Sequence, residues 1–136
     1  MQDVLNIEAA SNLTPWSKKI FQKILENRSI SFVIRSNESV VAFCIANKVV
    51  NECHLQNIAV IEELRCKGIG TFMLNILFKR AKLSDLDTVL LEVRESNEIA
   101  RKFYRDNGFK ELSVRKNYYK AEKGKENAII MRLEVA

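Results

Sequence analysis

The sequence is poor in the residues that build specialised scaffolds. It has one proline, Pro15, and no repeat or low-complexity run, so nothing in it reads as a linker between domains. Its three cysteines, Cys44, Cys53 and Cys66, are odd in number and contain no C-x-x-C pair. That argues against a disulfide framework and against a zinc site. The only histidine is His54, so no metal is expected, and His54 is read as a strand residue without a catalytic task. No apolar run reaches the roughly 18 residues that a membrane span needs. The opening "MQDVLNIEAASN" has neither the basic start nor the apolar run of a secretion signal, so a cytoplasmic location is the expectation.

What remains is ordinary soluble-protein material. The 136 residues suit one domain spanning 1–136, with 47% apolar and 29% charged residues. The formal net charge is +5, with a pI near 9.2. Such a surplus attracts polyanions, whether nucleic acid, a phosphorylated cofactor or a ribosomal surface, and does not choose among them.

The periodicities give an order of elements. Val4, Leu5, Ile7 and Ala9 suggest a short helix. "TPWSKKIFQKILENRS" reads as a second, capped by Thr14 or Ser17. "ISFVIRS" and "VVAFCIANKVV" flank "NES" as a hairpin, and "ECHLQNIAV" is a third strand. A helix from about Thr71 to Leu83 turns Met73, Leu74, Leu77 and Ala81 inward. "DTVLLEVR" reads as a central strand buried on both faces. "NEIARKFYRDNGF" is a helix stopped by Asn107 and Gly108. Two last strands, about 110–119 and 127–134, are joined by "AEKGKEN". The expected class is α/β (α+β): a mixed, mostly antiparallel sheet flanked by about four helices.

One turn in this order could carry chemistry. "RCKGIGTF", residues 65–72, sets two glycines and two cations before an apolar helix. A helix start offers unpaired N–H groups and a partial positive charge, and glycine lets backbone approach a ligand closely. Arg65 and Lys67 add full charges, and Thr71 can cap the helix or bond a phosphate oxygen. The result is a candidate phosphate cradle. A plain strand-to-helix turn explains the same residues. No Lys-Ser/Thr pair follows Gly70 and no third glycine appears, so neither the P-loop nor the dinucleotide fingerprint is present.

Longer stretches carry a resemblance. "HLQNIAV", "RCKGIG", "LEVRESNEIARKFYRDNGF" and "RKNYYKAEKGKENAIIMRL", with "PWS" at 15–17, resemble in order the GNAT acetyltransferases, and among them the RimI-type branch that acetylates a ribosomal-protein alanine. The likeness runs from about Ile7 to the end. It implies acetyl-CoA as co-substrate. The loop Arg65, Cys66, Lys67, Gly68, Ile69, Gly70 and Thr71 would hold its diphosphate. The strand backbone at Asn57, Ile58, Ala59 and Val60 would pair with the pantetheine arm, with Asn97 supporting that arm. It implies Glu92 as the base that deprotonates the amine, through a water, and Tyr104 as the acid facing the departing thiolate. Asn57, Tyr118 and Tyr119 would meet the acceptor.

Structural readings stand beside these roles. Glu92, the one charge in "TVLLEV", could be an arginine's partner; a carboxylate there must be paired, wetted or raised in pKa. Tyr104 could pack with Phe103 and Phe109, and Asn97 could be only an N-cap. In a regular strand Tyr118 and Tyr119 point to opposite faces, so one is expected inward and one toward substrate. Cys66 has no base to activate it as a nucleophile.

The chain also departs from the family. GNAT members usually open with a strand before the first helix. Here only about Met1–Asp3 precede it, too few for that strand, so either the strand is absent or the opening residues take another path, and the 30–50 hairpin would then carry an open edge. Lys120 and Asn127 stand where the branch has a proline and an acid. The basic hairpin with Lys116, Lys120, Lys123 and Lys125 is read as a solvated charged face. The expected function is transfer of acetyl to a protein N-terminus, for which the resemblance implies a small-subunit ribosomal protein, with no membrane and no specific nucleic-acid partner. The alternatives are a GNAT acting on a small amine or lysine side chains, and a non-catalytic acyl-CoA- or RNA-binding module.

Overall fold

In a computed structural model, residues 1–12, 14–26, 29–121 and 124–135 are described. Asn27 and Arg28 of the expected second helix, and Lys123 of the last turn, lie outside them. The chain opens with helices α1 (Gln2–Ser11) and α2 (Lys18–Leu25). Strands β1 (Phe32–Ser36), β2 (Ser39–Val49) and β3 (Glu52–Val60) follow. Then come helix α3 (Ile69–Leu83), strand β4 (Thr88–Arg94) and helix α4 (Glu98–Asp106). Strands β5 (Lys110–Ala121) and β6 (Gly124–Glu134) close it, both longer than the sequence implied.

The sheet order is β1-β2-β3-β4-β6-β5. Among the described residues only β3 and β4 are parallel; every other neighbour pair is antiparallel. Among the described residues no strand precedes α1, and β1 forms a sheet edge. Four helices and a mixed sheet are the architecture expected above.

The sheet divides two apolar clusters. Met73, Leu74, Leu77 and Ala81 of α3 are buried against Ala42, Cys44, Cys53, Leu55, Val89 and Leu91. Val4, Ile7 and Phe21 of α1 and α2 cover Phe43, Ile45 and Ala59 on the other face. Trp16, Phe21 and Phe43 stack edge to face there, with centroids 5.1 and 5.8 Å apart. Ser17, not Thr14, caps α2, accepting from Ile20 N at 3.3 Å. No helix among the described residues is long and apolar enough to cross a membrane.

Candidate active site

The cleft begins where two strands part. β3 and β4 pair from Glu52↔Thr88 to Leu55↔Leu91 and no further. A bulge sits at that point. β2 pairs Ala46 with Leu55 but Ile45 with Asn57, leaving Gln56 as an extra residue on β3. One extra residue inverts the side-chain alternation. Cys53 and Leu55 face the α3 cluster, whereas Asn57 reaches α1, where its Nδ2 donates to Glu8. Beyond the bulge the strands splay, and a cavity of about 660 Å³ fills the gap.

This cavity gathers Asn57, Ile58, Glu92, Asn97, Tyr104, Tyr118 and Tyr119 of the expected residues. Ala59 faces the α1–α2 cluster instead. Val60 and the 65–71 turn do not line the cavity.

Glu92 shows why β4 is not buried on both faces. Val89, Leu91 and Val93 are buried in the α3 cluster, while Leu90, Glu92 and Arg94 alternate with them and are more exposed; Leu90 to Arg94 all border the cleft. Strand parting removes the cover that continuous pairing would supply. The carboxylate is about one-third exposed and its Oε1 lies 3.4 Å from Arg115 Nη1. It is thus both wetted and paired.

The two tyrosines do not alternate. Asn117 adopts φ 55°, and the β5–β6 register shifts between Arg115 and Tyr119. Asn127 Oδ1 accepts from Asn117 N at 3.0 Å and pins this bulge. Both rings therefore line the cleft, 5.0 Å apart. Arg115 lies over Tyr118 at 4.1 Å, and Arg94 over Tyr119 at 4.6 Å. Burial and the Glu92 charge push the Tyr119 phenol up to about 12. Tyr118 shifts upward too, from burial and from Glu92.

Tyr104 enters from α4 on the opposite side. Its ring packs against Phe103 and Phe109, as its structural reading required. It also lines the cleft. Burial drives its pKa well above that of a free phenol, so it stays protonated through neutral pH. Asn97 caps α4, its Oδ1 accepting from Ala100 N at 3.1 Å, and lines the cleft as well.

The glycine turn starts α3 two residues earlier than expected. Gly68 is the N-cap at φ 84°, and Phe72 N makes the first α-type bond to Gly68 O at 3.0 Å. The N–H groups of Ile69, Gly70 and Thr71 thus have no partner within the helix. Thr71 sits in the first turn and does not cap it. The two glycines serve different ends. A Cβ on Gly68 would meet open space, so its positive φ is what requires glycine. A Cβ on Gly70 would come within 2.9 Å of the Phe103 ring, so there glycine lets α3 and α4 close. Arg65 is turned back, Nε to Val60 O and Nη2 to Ser11 Oγ, both at 3.0 Å. Lys67 and Cys66 are exposed, and Cys66 is at φ 60°. The cradle offers free amides and open space above Gly68, which fits a diphosphate.

Sequence reading missed Glu8, Thr14, Trp16 and Arg94, all of which line the cleft. Arg94 spans its mouth: Nη2 donates to Thr14 Oγ1 at 3.2 Å and Nη1 meets Glu126 Oε1 at 3.5 Å. Glu8 did leave a signal. It lies one turn after Val4 and beside Ile7, a carboxylate on the inward face of α1.

The model for the "Acetyltransferase (GNAT) family" matches residues 1–109. The chain belongs to the GNAT acetyltransferases. Among curated GNAT relatives it is 36% identical to the [ribosomal protein bS18]-alanine N-acetyltransferase of Escherichia coli K12 over 131 residues, 96% of this chain and 88% of that one. It is 33% identical to a putative enzyme of that name from Bacillus subtilis over 130 residues, 94% of this chain and 85% of that one. The crystal structure of the Escherichia coli ribosomal-protein alanine N-acetyltransferase superposes with a TM-score of 0.91 at 35% identity, covering 99% of this chain and 87% of that one. A Bacillus subtilis acetyltransferase solved with CoA shares the GNAT fold alone, with a TM-score of 0.82 at 17% identity, covering 98% of this chain and 92% of that one. GNAT membership makes the chain an acetyl-CoA-dependent N-acyltransferase.

Proposed function

We propose that this chain is an N-α-acetyltransferase whose acceptor is the N-terminal alanine of ribosomal protein bS18. The observation that carries the reading is the cleft between the parted strands, which joins Glu92, Tyr104 and the tyrosine pair in one opening. Similarity to bS18-alanine N-acetyltransferases along nearly the whole chain supports the acceptor.

The residues divide the work. The free amides of 69–71 and the open space at Gly68 suit the diphosphate of acetyl-CoA. The unpaired edge of β3 beyond Leu55 suits the pantetheine arm as an added strand, with Asn97 beside it. Tyr118 and Tyr119, which line the same cleft as Trp16, suit the acceptor. The amine nitrogen bonds to the thioester carbonyl carbon, and the carbon–sulfur bond breaks. The amine's proton passes to Glu92 through a water. The Tyr104 phenol donates a hydrogen bond to the departing thiolate. An α-amine, with a pKa of about 7.7–8, gives up its proton far more readily than lysine at about 10.4. The same base therefore favours N-termini.

Purified protein, acetyl-CoA and an N-terminal bS18 peptide are incubated beside lysine peptides with blocked N-termini and polyamines, and products are read by mass spectrometry. Acetyl on the alanine α-amine is the expected product. No transfer to any peptide N-terminus, or faster transfer to the lysine peptides or polyamines, overturns the reading.

A further inference from the structure

Glu8 is 1% exposed, yet it lines the cleft. Among the described residues no lysine, arginine or histidine pairs with it. Its partners are neutral donors. Oε2 accepts from Trp16 N at 2.9 Å and from Asn12 Nδ2 at 3.4 Å, and Oε1 accepts from Asn57 Nδ2 at 2.9 Å. A buried carboxylate without a counter-ion is costly, and tethering a loop does not require a charge.

We propose that Glu8 is a positioning residue for the acceptor amine, acting through Asn57. An amide has a donor end and an acceptor end. Glu8 engages the Nδ2 end, so the Oδ1 end of Asn57 is left for the cleft, and it accepts no hydrogen bond among the described residues. The β3 bulge is what carries Asn57 to the α1 side of the sheet to meet Glu8.

The geometry gives the acceptor nitrogen two opposed holds. A neutral primary amine has two N–H bonds and one lone pair. One N–H points to Glu92 through water and the other to Asn57 Oδ1. The lone pair then faces the thioester carbonyl. Asn57 takes no proton; it orients, and the negative charge behind it strengthens Oδ1 as an acceptor. The same arrangement attracts the ammonium form as it enters.

This inference rests on the N-α-acetyltransferase reading, and its test separates the two. Two peptides are compared: one with N-terminal alanine, and a des-amino twin in which a propanoyl group replaces that alanine. Their dissociation constants are measured by calorimetry in the presence of CoA, for wild type, Glu8→Gln and Asn57→Leu. Wild type is expected to prefer the amine peptide. Both variants should bind it about tenfold more weakly and bind the des-amino twin as before, and Glu8→Gln should keep wild-type affinity for acetyl-CoA. A weakening shared equally by both peptides means that Glu8 only braces the wall, and overturns the proposal. So does a preference that survives in the variants. If Glu8→Gln does not fold, Asn57→Leu decides alone. A wild type that acetylates no alanine peptide removes the acceptor reading and this relay with it. A wild type that acetylates the peptide while the variants keep the preference removes the relay only.

Discussion

At the residue scale, two side chains carry the proposed chemistry and differ in what surrounds them. Glu92 is water-accessible and faces Arg115, so a neutral isostere leaves packing intact. Glu92→Gln is expected to lower kcat by about 10²–10⁴-fold while calorimetry finds acetyl-CoA affinity unchanged. Unaltered turnover removes Glu92 from the mechanism. Tyr104 is buried, but its hydroxyl makes no hydrogen bond among the described residues. Tyr104→Phe should therefore leave Tm near wild type and slow turnover by about 10²-fold. A large loss of Tm with normal kcat would make Tyr104 a packing residue and nothing more.

At the scale of elements, bulges and helix starts decide where side chains go. The Gln56 bulge turns Asn57 to α1, and the Asn117 bulge brings two adjacent tyrosines to one cleft. No residue in "HLQNIAV" marks the first of these. Asn117, a residue that tolerates positive φ, was the available sign of the second. The glycine turn was legible as a helix start, but the split between its glycines was not, because Phe103 is 33 residues away in the sequence. Gly70→Ala is expected to cost about 1–3 kcal/mol in urea unfolding, since the new methyl overlaps the Phe103 ring. Adding Phe103→Leu should recover part of that loss. A double variant no more stable than Gly70→Ala would place the cost elsewhere.

At the scale of the molecule, the cluster under α3 and α4 holds ionisable groups in neutral form. Burial pushes the Cys44 and Cys53 thiols up to about 12 from an ordinary 9.0. Tyr104 of the same cluster rises well above 10.0, and in the cleft Tyr119 rises to about 12. Unfolded chains lose these protons first. The stability these groups contribute is therefore fully present below about pH 9 and is lost as pH climbs from 9 toward 12. The urea midpoint measured across this window should decline steadily, and less steeply in Cys44→Ala. A midpoint flat to pH 11 would contradict the burial of these groups.

Sequence by itself determined the elements and their order, because apolar periodicity and turn residues act between near neighbours. It also marked Glu92, as a charge in an apolar strand, and the resemblance carried the acyl-transfer reading. Tertiary structure alone decided where β3 and β4 part, which face each tyrosine takes, and that Glu8 lies buried against Asn57. Those outcomes come from strand register and from packing between residues distant in the chain. No local pattern encodes a gap between two strands that pair for four residues and then separate.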